Sequence, residues 1–438
     1  MSRLLLVFLG TMLALTIAGQ QRPNMVFIAA DDLGYGDLSC YGNKAISTPN
    51  LDRMAADGIR FLHAYAAAPV CTPSRTGFMT GRYPARTSVG LMEPLDWTSA
   101  DSLIGLSPET PSVAAQLKKV GYRTGLIGKW HLGFTPRFSP RVNGFDYFFG
   151  FHGGGVDYDS HTAPSGEPDL YHNEKAVTRS GYLTDILAEE AVAFIRTNRD
   201  YPFFLSVQFS APHWPWQTRG DKAYPVGDGG WKEGGSADKY AAMVGALDDA
   251  VGRILQALRD DNLEKNTLVV FTSDNGGERF SDMGGLRERK FVLWEGGIRV
   301  PCIAVWPGRI PAGSTSKQPI MHLDWTTTFL SIAGAKPNPA FPPDGRDLAS
   351  VLADPFLNEP RIFFWRVFQR NRQKAVLSGD WKLLVTEDGE YLFRPFDDPA
   401  EQQDLKSLYP QQVEKLKSAL AQWEKSVLIP RPLSKRTP

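Results

Sequence analysis

NMVFIAADDLGYGD, residues 24–37, runs through an unbroken apolar segment of strand length and stops at two carboxylates followed by glycines. A strand with one wet face alternates apolar and polar residues, whereas a strand buried on both faces does not. The unbroken run therefore predicts a strand inside a parallel sheet. Residues 266–277, NTLVVFTSDNGG, repeat the construction and end in Asp274-Asn275. Around these two segments, helix and strand patterns alternate. TPNLDRMAADGIRF (48–61) reads as a helix capped near Thr48 or Asn50 and closed by Gly58, and TPSVAAQLKKVGYRTGLIGKWHLG (110–133) as helix then strand. LTDILAEEAVAFIRTN (183–198) is helical, PFFLSVQFSAPH (202–213) a strand, SADKYAAMVGALDDAVGRILQALRDD (236–261) a long amphipathic helix and VPCIAVWPG (300–308) a further strand. Alternation of this kind predicts an α/β sandwich around a large, mostly parallel sheet.

Beyond about residue 340 the grammar changes. KAVLSGDWKLLVTEDGEYLFRPF (374–396) reads as consecutive antiparallel strands with Asp388-Gly389 in a hairpin turn. A last helix carries Val413, Leu416, Leu420 and Trp423 as one apolar stripe. The expected organisation is a leader at 1–20, a catalytic unit at 21–345 and a small C-terminal α+β subdomain at 346–438.

The chain has 438 residues with 48 basic and 48 acidic side chains, so the molecule as a whole has no electrostatic bias toward nucleic acid or membrane. Met1-Ser2-Arg3, an apolar run at 4–18 and small or polar residues after it read as a cleaved signal peptide, the run being short for a membrane anchor. The expectation is export to a periplasmic or extracellular space, with no stable anchor. Cys40, Cys71 and Cys302 are too few for a disulfide framework or a zinc site, and an odd count leaves at least one unpaired.

In open α/β sheets, ligands sit beyond the carboxyl ends of the strands. Asp31, Asp32, Asp274 and Asn275 all fall there, and such oxygen donors together suit Ca²⁺ or Mg²⁺. Each pair alone would equally serve to cap the turn that follows it. GLIGKWHLG (125–133) places Lys129 and His131 two apart, on one face if the segment is extended, and FSAPHWPWQ (209–217) puts His213 at another strand end. Lys290, in RERKFVLWEGGIRVP (287–301), follows the second acidic strand end, and by itself its sequence context favours a surface lysine.

Cys71 opens CTPSRTGFMTGRYPAR (71–86), where Pro73 suits a first helical turn and Arg75 lies one turn on, so both Cys71 and Arg75 can face an anion at the helix start. A thiol-phosphatase loop needs arginine six positions after the cysteine, and position 77 is Gly. This segment resembles the sulfatase signature. ADDLGYGD, GKWHLG, APHWP, SDNGG and WEGGIRVP resemble that family's other blocks in their usual order, and the likeness extends from about residue 22 to GDWKLL and DDPAEQQDL.

The resemblance implies the alkaline-phosphatase-like fold with a small C-terminal subdomain carrying an antiparallel sheet. It implies oxidation of Cys71 to formylglycine (3-oxoalanine) by a separate maturation enzyme. Asp31, Asp32, Asp274 and Asn275 would hold one divalent ion, Ca²⁺ before Mg²⁺, with converted Cys71 completing the sphere. Arg75 would hold the formylglycine beside Lys129 and His131, and His213 and Lys290 would contact the sulfate and the leaving oxygen. A hydrated aldehyde explains the need for conversion: one hydroxyl attacks sulfur, and the other expels sulfate and restores the aldehyde. His213 is then expected as the general acid and His131 as the base.

A phosphonate monoester hydrolase or phosphodiesterase is the nearest alternative, in which histidine tends to follow the second metal aspartate; Asn275 favours sulfate. The other alternative is a non-catalytic sugar-binding relative with Cys71 unconverted. The expected substrate is a sulfated sugar or glycan, with aryl sulfates as artificial substrates. Tyr158, His161, Trp214 and Trp216 are candidate sugar platforms, since aromatic faces stack on sugar rings, although burial in a core is at least as common a use of tryptophan.

Overall fold

The computed structural model describes residues 22–96, 103–225 and 230–428, so the leader at 1–20 lies outside the described residues. One sheet dominates. Its strands lie in the spatial order Ser314–Ser316, Ile59–Phe61, Cys302–Val305, Thr267–Ser273, Asn24–Ala30, Phe203–Gln208, Arg123–Lys129, Tyr147–Phe151, Tyr171–His172 and Lys175–Ala176. From Thr267–Ser273 across to Tyr147–Phe151 every pairing is parallel. Cys302–Val305 runs antiparallel to both its neighbours, and the two short strands at the far edge are antiparallel as well.

The reason for the unbroken apolar runs is visible in the core. Every residue of Asn24–Ala30 and Thr267–Ser273 is buried. Val26, Ile28 and Ala30 enter one apolar cluster, with helices Pro49–Ala56, Leu183–Asn198 and Ala237–Asp260. Met25, Phe27 and Ala29 enter another, on the opposite face, with helices Cys71–Thr80, Val113–Lys118, His322–Ile332 and Ala349–Ala353. Side chains of a strand alternate between faces, so a sheet covered by helices on both sides needs apolar residues at every position.

A separate four-stranded antiparallel sheet follows in chain order, Ile362–Val367, Gln373–Ser378, Trp381–Val385 and Glu390–Phe393. Asp388-Gly389 lies in its last turn, where Thr386 N–H donates to Gly389 O at 2.8 Å and Gly389 takes a φ of 146°. Helix Pro410–Val427 packs on this sheet through Val413, Leu416, Leu420 and Trp423. The same cluster includes Tyr65, Leu293 and Trp294, which ties the small sheet to the main body. Ile362–Val367 and helix His322–Ile332 were not apparent from sequence patterning; HLDWTTTFLSI is buried along most of its length and has no polar face to set a helical period. No helix among the described residues is long and apolar enough to cross a membrane.

Candidate active site

Four neighbouring parallel strands deliver the site. Ala30 pairs with Ser273, Ala29 with Gln208, and Gln208 with Gly128, so the segments that follow emerge together at one sheet edge. Asp31 and Asp32 leave the first strand there, Asp274 and Asn275 the second, Lys129 ends the third, and the fourth leads to His213. All are buried.

Three carboxylates and three cations interlock at this edge. Lys129 Nζ donates to Asp31 Oδ2 at 2.5 Å, and Lys290 Nζ to Asp32 Oδ2 at 2.6 Å. Arg75 reaches Asp274 Oδ2 through Nη2 at 2.9 Å and Nε at 3.1 Å, with Asp31 Oδ2 3.6 Å away. Its Nη1 donates to Gln208 Oε1 at 2.9 Å. Asn275 Nδ2 donates to Asp32 Oδ1 at 2.8 Å. Lys290 is thus a buried partner of Asp32 and not the surface lysine its sequence context favoured. Burial alone would depress the Lys290 ammonium, but Asp32, Cys71, Glu278 and Asp31 together outweigh it and the pKa ends above the usual lysine range. With the carboxylates neutralised one for one, a divalent cation would leave the site net positive, which suits a sulfate ester anion.

Cys71 is the first residue of helix Cys71–Thr80, and all ten of its residues are buried. Arg75, one turn on, therefore projects from the same face. Ser74 Oγ donates to the Asp274 carbonyl and lies 3.2 Å from His322 Nδ1, so the helix also fixes the strand end that carries Asp274. Burial pushes the Cys71 thiol pKa up, and Lys129 and Lys290 do not bring it back. A resident thiolate nucleophile does not fit that environment.

His131 and His213 differ in which nitrogen is held. His131 Nε2 donates to Leu95 O at 2.9 Å, and its buried Nδ1 has no partner. His213 Nδ1 donates to Trp214 O at 2.6 Å, leaving Nε2 3.6 Å from Asp32 Oδ2. Carbonyl oxygens only accept, so each bond sets its ring's tautomer. Burial lowers both pKa values well below the ordinary histidine value; Lys129 adds to this at His131, and Lys290 and Lys129 at His213. His131 is not an extension of its strand: the strand ends at Lys129 and His131 takes a φ of 55°. The shared-face expectation for Lys129 and His131 fails for that reason: His131 lines the cleft, while Lys129 stays fully buried against Asp31 and acts on His131 through its charge.

The donor set suits a hard cation. Asp31 Oδ1 and Asn275 Oδ1 are buried with no hydrogen-bond partner. A buried acceptor left unpaired costs about 1–3 kcal/mol, so two of them among carboxylates mark a place for positive charge. Ligand atoms of Asp31, Cys71 and Asp274 lie within 4.8 Å of one another, as do those of Asp31, Asp32 and His213.

A cleft of about 620 Å³ opens over Cys71, His131, His213 and Lys290. Of the candidate sugar platforms, half-buried Trp214 lines it. Tyr158, His161 and Trp216 do not serve: all three are buried. Tyr158 donates its hydroxyl to His213 O at 3.0 Å, His161 is bound to Gly181 O, and Trp216 packs edge-on against Phe280. Patterning missed Gln208, Glu278, Phe291 and Arg370. Gln208 was detectable as the polar residue ending an apolar strand, whereas nothing local marks the others. The three cysteines are free, so Cys40 and Cys302 are not joined.

A family model described as Sulfatase matches residues 23–335. The N-acetylgalactosamine-6-sulfatase of Rattus norvegicus is 36% identical over 406 residues, spanning 87% of this chain and 74% of that protein. The arylsulfatase A of Homo sapiens is 36% identical over 370 residues, spanning 78% and 69% respectively. The crystal structure of Ps i-CgsB in complex with k-i-k-neocarrahexaose superposes with a TM-score of 0.83 at 32% identity, covering 93% of this chain and 94% of that one.

Proposed function

The chain belongs to the sulfatase family and hydrolyses sulfate esters, and from that premise we propose that Cys71 works as formylglycine beside one Ca²⁺ held by Asp31, Asp32, Asp274, Asn275 and the converted residue. The observation that carries this reading is the pair of buried, unpartnered oxygens, Asp31 Oδ1 and Asn275 Oδ1, in a cluster that also contains Cys71. A hydrated aldehyde supplies two hydroxyls on one carbon, and the cation supplies the charge that favours ionising one of them.

The chain's own groups then divide the work. Arg75 orients the converted residue while holding Asp274. Lys129 and Lys290 carry positive charge toward the transferring group, where negative charge accumulates. His213 serves the leaving oxygen through Nε2, because its single resting N–H, on Nδ1, is committed to Trp214 O. Nε2 therefore first takes up a proton, a charged state that the bound sulfate ester anion favours, and then passes it on. His131 Nδ1, the unpartnered nitrogen, takes the proton released when sulfate departs.

A sulfated sugar or glycan is the substrate class. One relative is named for N-acetylgalactosamine-6-sulfate chemistry and one solved relative holds a neocarrahexaose, which supports that class. Residues 21–345 form the catalytic unit and 346–438 the C-terminal subdomain. A maturation enzyme converts Cys71, and the leader at 1–20 is removed on export.

The test is the mass of the proteolytic peptide containing Cys71, expected about 18 Da below the cysteine form. It is paired with side-by-side turnover of nitrophenyl sulfate and a nitrophenyl phosphodiester. Unmodified thiol in protein from the native host, or a preference for the phosphodiester, overturns the reading.

A further inference from the structure

We propose that the cleft reads a second anionic group on its substrate, a sulfate or a carboxylate on the same or the adjoining sugar, and that Arg370 is the specificity-determining residue, assisted by Lys232. The proposal rests on the sulfate-ester reading and names the substrate more narrowly: a sulfated glycan unit bearing two negative charges.

Arg370 and Lys232 both line the cleft that contains Cys71, and both are exposed. Each rests on an aromatic ring rather than on a carboxylate: the Arg370 guanidinium carbon lies 4.2 Å from the Phe291 ring centroid and Lys232 Nζ 4.8 Å from that of Trp214. Among the described residues neither forms an ion pair. Each ring belongs to the residue directly after a member of the sulfate site. Lys290 Nζ is 5.2 Å from the Phe291 centroid, and the His213 and Trp214 rings are 4.3 Å apart. Each outer cation is therefore separated from a residue of the sulfate site by one aromatic ring. Phe291 holds this place at a φ of 76°, a conformation a bulky residue adopts only when its surroundings impose it.

Arg370 comes from the turn between strands Ile362–Val367 and Gln373–Ser378 of the small sheet. That turn is clamped on both sides of the cleft. Glu93 Oε2 accepts the N–H groups of Phe368 at 2.6 Å and Gln369 at 2.7 Å, and Gln369 Oε1 accepts the Glu93 N–H at 3.0 Å. On the other side, Asn371 Nδ2 donates to Phe291 O at 3.1 Å, and Gln373 Oε1 accepts Leu293 N–H at 2.7 Å. The tip is thus placed by its neighbours while the guanidinium forms no ion pair among the described residues.

Of the acids nearby, Glu93 is spent on backbone N–H groups and Asp96 has its own partner. Glu278, whose buried Oε2 has no hydrogen-bond partner, raises the Lys290 pKa by its charge and forms no ion pair with Arg370 or Lys232. A planar guanidinium with free donors matches the paired oxygens of a sulfate or carboxylate.

The experiment compares three sugars of the same skeleton: one with a single sulfate, one with a second sulfate and one with a sulfate and a carboxylate. The wild-type enzyme is expected to prefer a two-anion sugar over the one-anion sugar in kcat/KM. Arg370→Ala is expected to reduce that ratio about tenfold, chiefly through KM, and Arg370→Lys to keep part of it. Whichever two-anion sugar loses more identifies the group read. Raising ionic strength should shrink the wild-type ratio. A wild-type enzyme with no such preference, or a ratio untouched by Arg370→Ala, overturns the proposal.

Calorimetric titration of Cys71→Ser protein with the same sugars separates this result from the parent reading. Tighter binding of a two-anion sugar that disappears in Cys71→Ser/Arg370→Ala upholds the proposal even if no sulfate ester is turned over. Equal binding of all three sugars overturns it even if every one is hydrolysed.

Discussion

Asn275 shows what a single side chain can decide at this site. Its Nδ2 is committed to Asp32 Oδ1 and its buried Oδ1 has no hydrogen-bond partner, so in the proposed metal site the amide would present one oxygen to a cation without adding a fourth negative charge. A divalent ion at a hundredfold excess over its Kd stabilises the folded protein by about 2.7 kcal/mol, which chelation should remove. Asn275→Ala deletes one ligand oxygen and is expected to weaken binding about tenfold, taking about 1.4 kcal/mol off that stabilisation. The measurement is the difference in Tm between Ca²⁺-loaded and chelated protein. A variant whose shift equals the wild-type shift would show that Asn275 is no ligand. The paired Lys129 and Asp31, both fully buried, mark the opposite extreme. Removing either partner would strand a charge at a cost of about 3–5 kcal/mol, so activity losses there would be confounded with unfolding.

Among the elements, helix Cys71–Thr80 carries the most constraint because it is buried all round and holds Cys71, Ser74 and Arg75 against the strand ends. Gly77 lets it approach the neighbouring chain. A Cβ there would sit 2.4 Å from Ala67 Cβ and 3.0 Å from Leu323 Cδ2. Gly77→Ala would gain up to about 1 kcal/mol of helix propensity. Overpacking would cost about 1–3 kcal/mol, and the chain at Ala67 has no flexible side chain to yield. The expected outcome is a lower Tm in thermal unfolding, with kcat falling as well because the helix start moves relative to Asp274; an unchanged or raised Tm would refute the close-packing argument. The small sheet is joined to this machinery by charge as well as by packing. Buried Lys382 lies 2.8 Å from both Glu295 Oε1 and Glu401 Oε1, and Glu401 Oε2 accepts the Glu295 N–H at 2.7 Å. Glu295 follows Lys290 by five residues, so the clamp steadies the segment that places Lys290.

For the whole molecule, buried titratable groups set how stability varies with pH. Burial raises Asp37, Asp169 and Glu401 to about 7 each. A raised carboxyl contributes stability that is complete below its unfolded pKa and is lost as pH rises through the folded one. Burial lowers His63, His152 and His322 to about 4 each. Those groups act in the opposite sense: the unfolded chain binds their protons first, so stability is lost as pH falls from about 6.5 toward 4. The two sets offset one another between about 4.5 and 6, and above about 6.5 only the carboxyls still titrate. Thermal unfolding of metal-loaded protein should therefore show a plateau in Tm and then a decline through pH 7. His152→Gln should raise Tm relative to wild type on the acid side alone. A wild-type Tm that climbs steadily from pH 6 to 8 would contradict this balance. Much of the architecture was legible beforehand. The apolar runs at 24–30 and 267–273, their acidic ends, the helix over 183–198 and the stripe at Val413, Leu416, Leu420 and Trp423 depend on local periodicity, which a chain carries in its residue order. The sequence by itself also determined which side chains stand at strand ends. Tertiary structure alone decided which of them end up unpaired: that Lys290 is buried against Asp32, that Asp31 Oδ1 and Asn275 Oδ1 lack partners, that Tyr158 and Trp216 are packed away, and that Arg370 reaches a cleft opened by Cys71. Desolvation and pairing are set by neighbours hundreds of residues distant, and no local pattern records them.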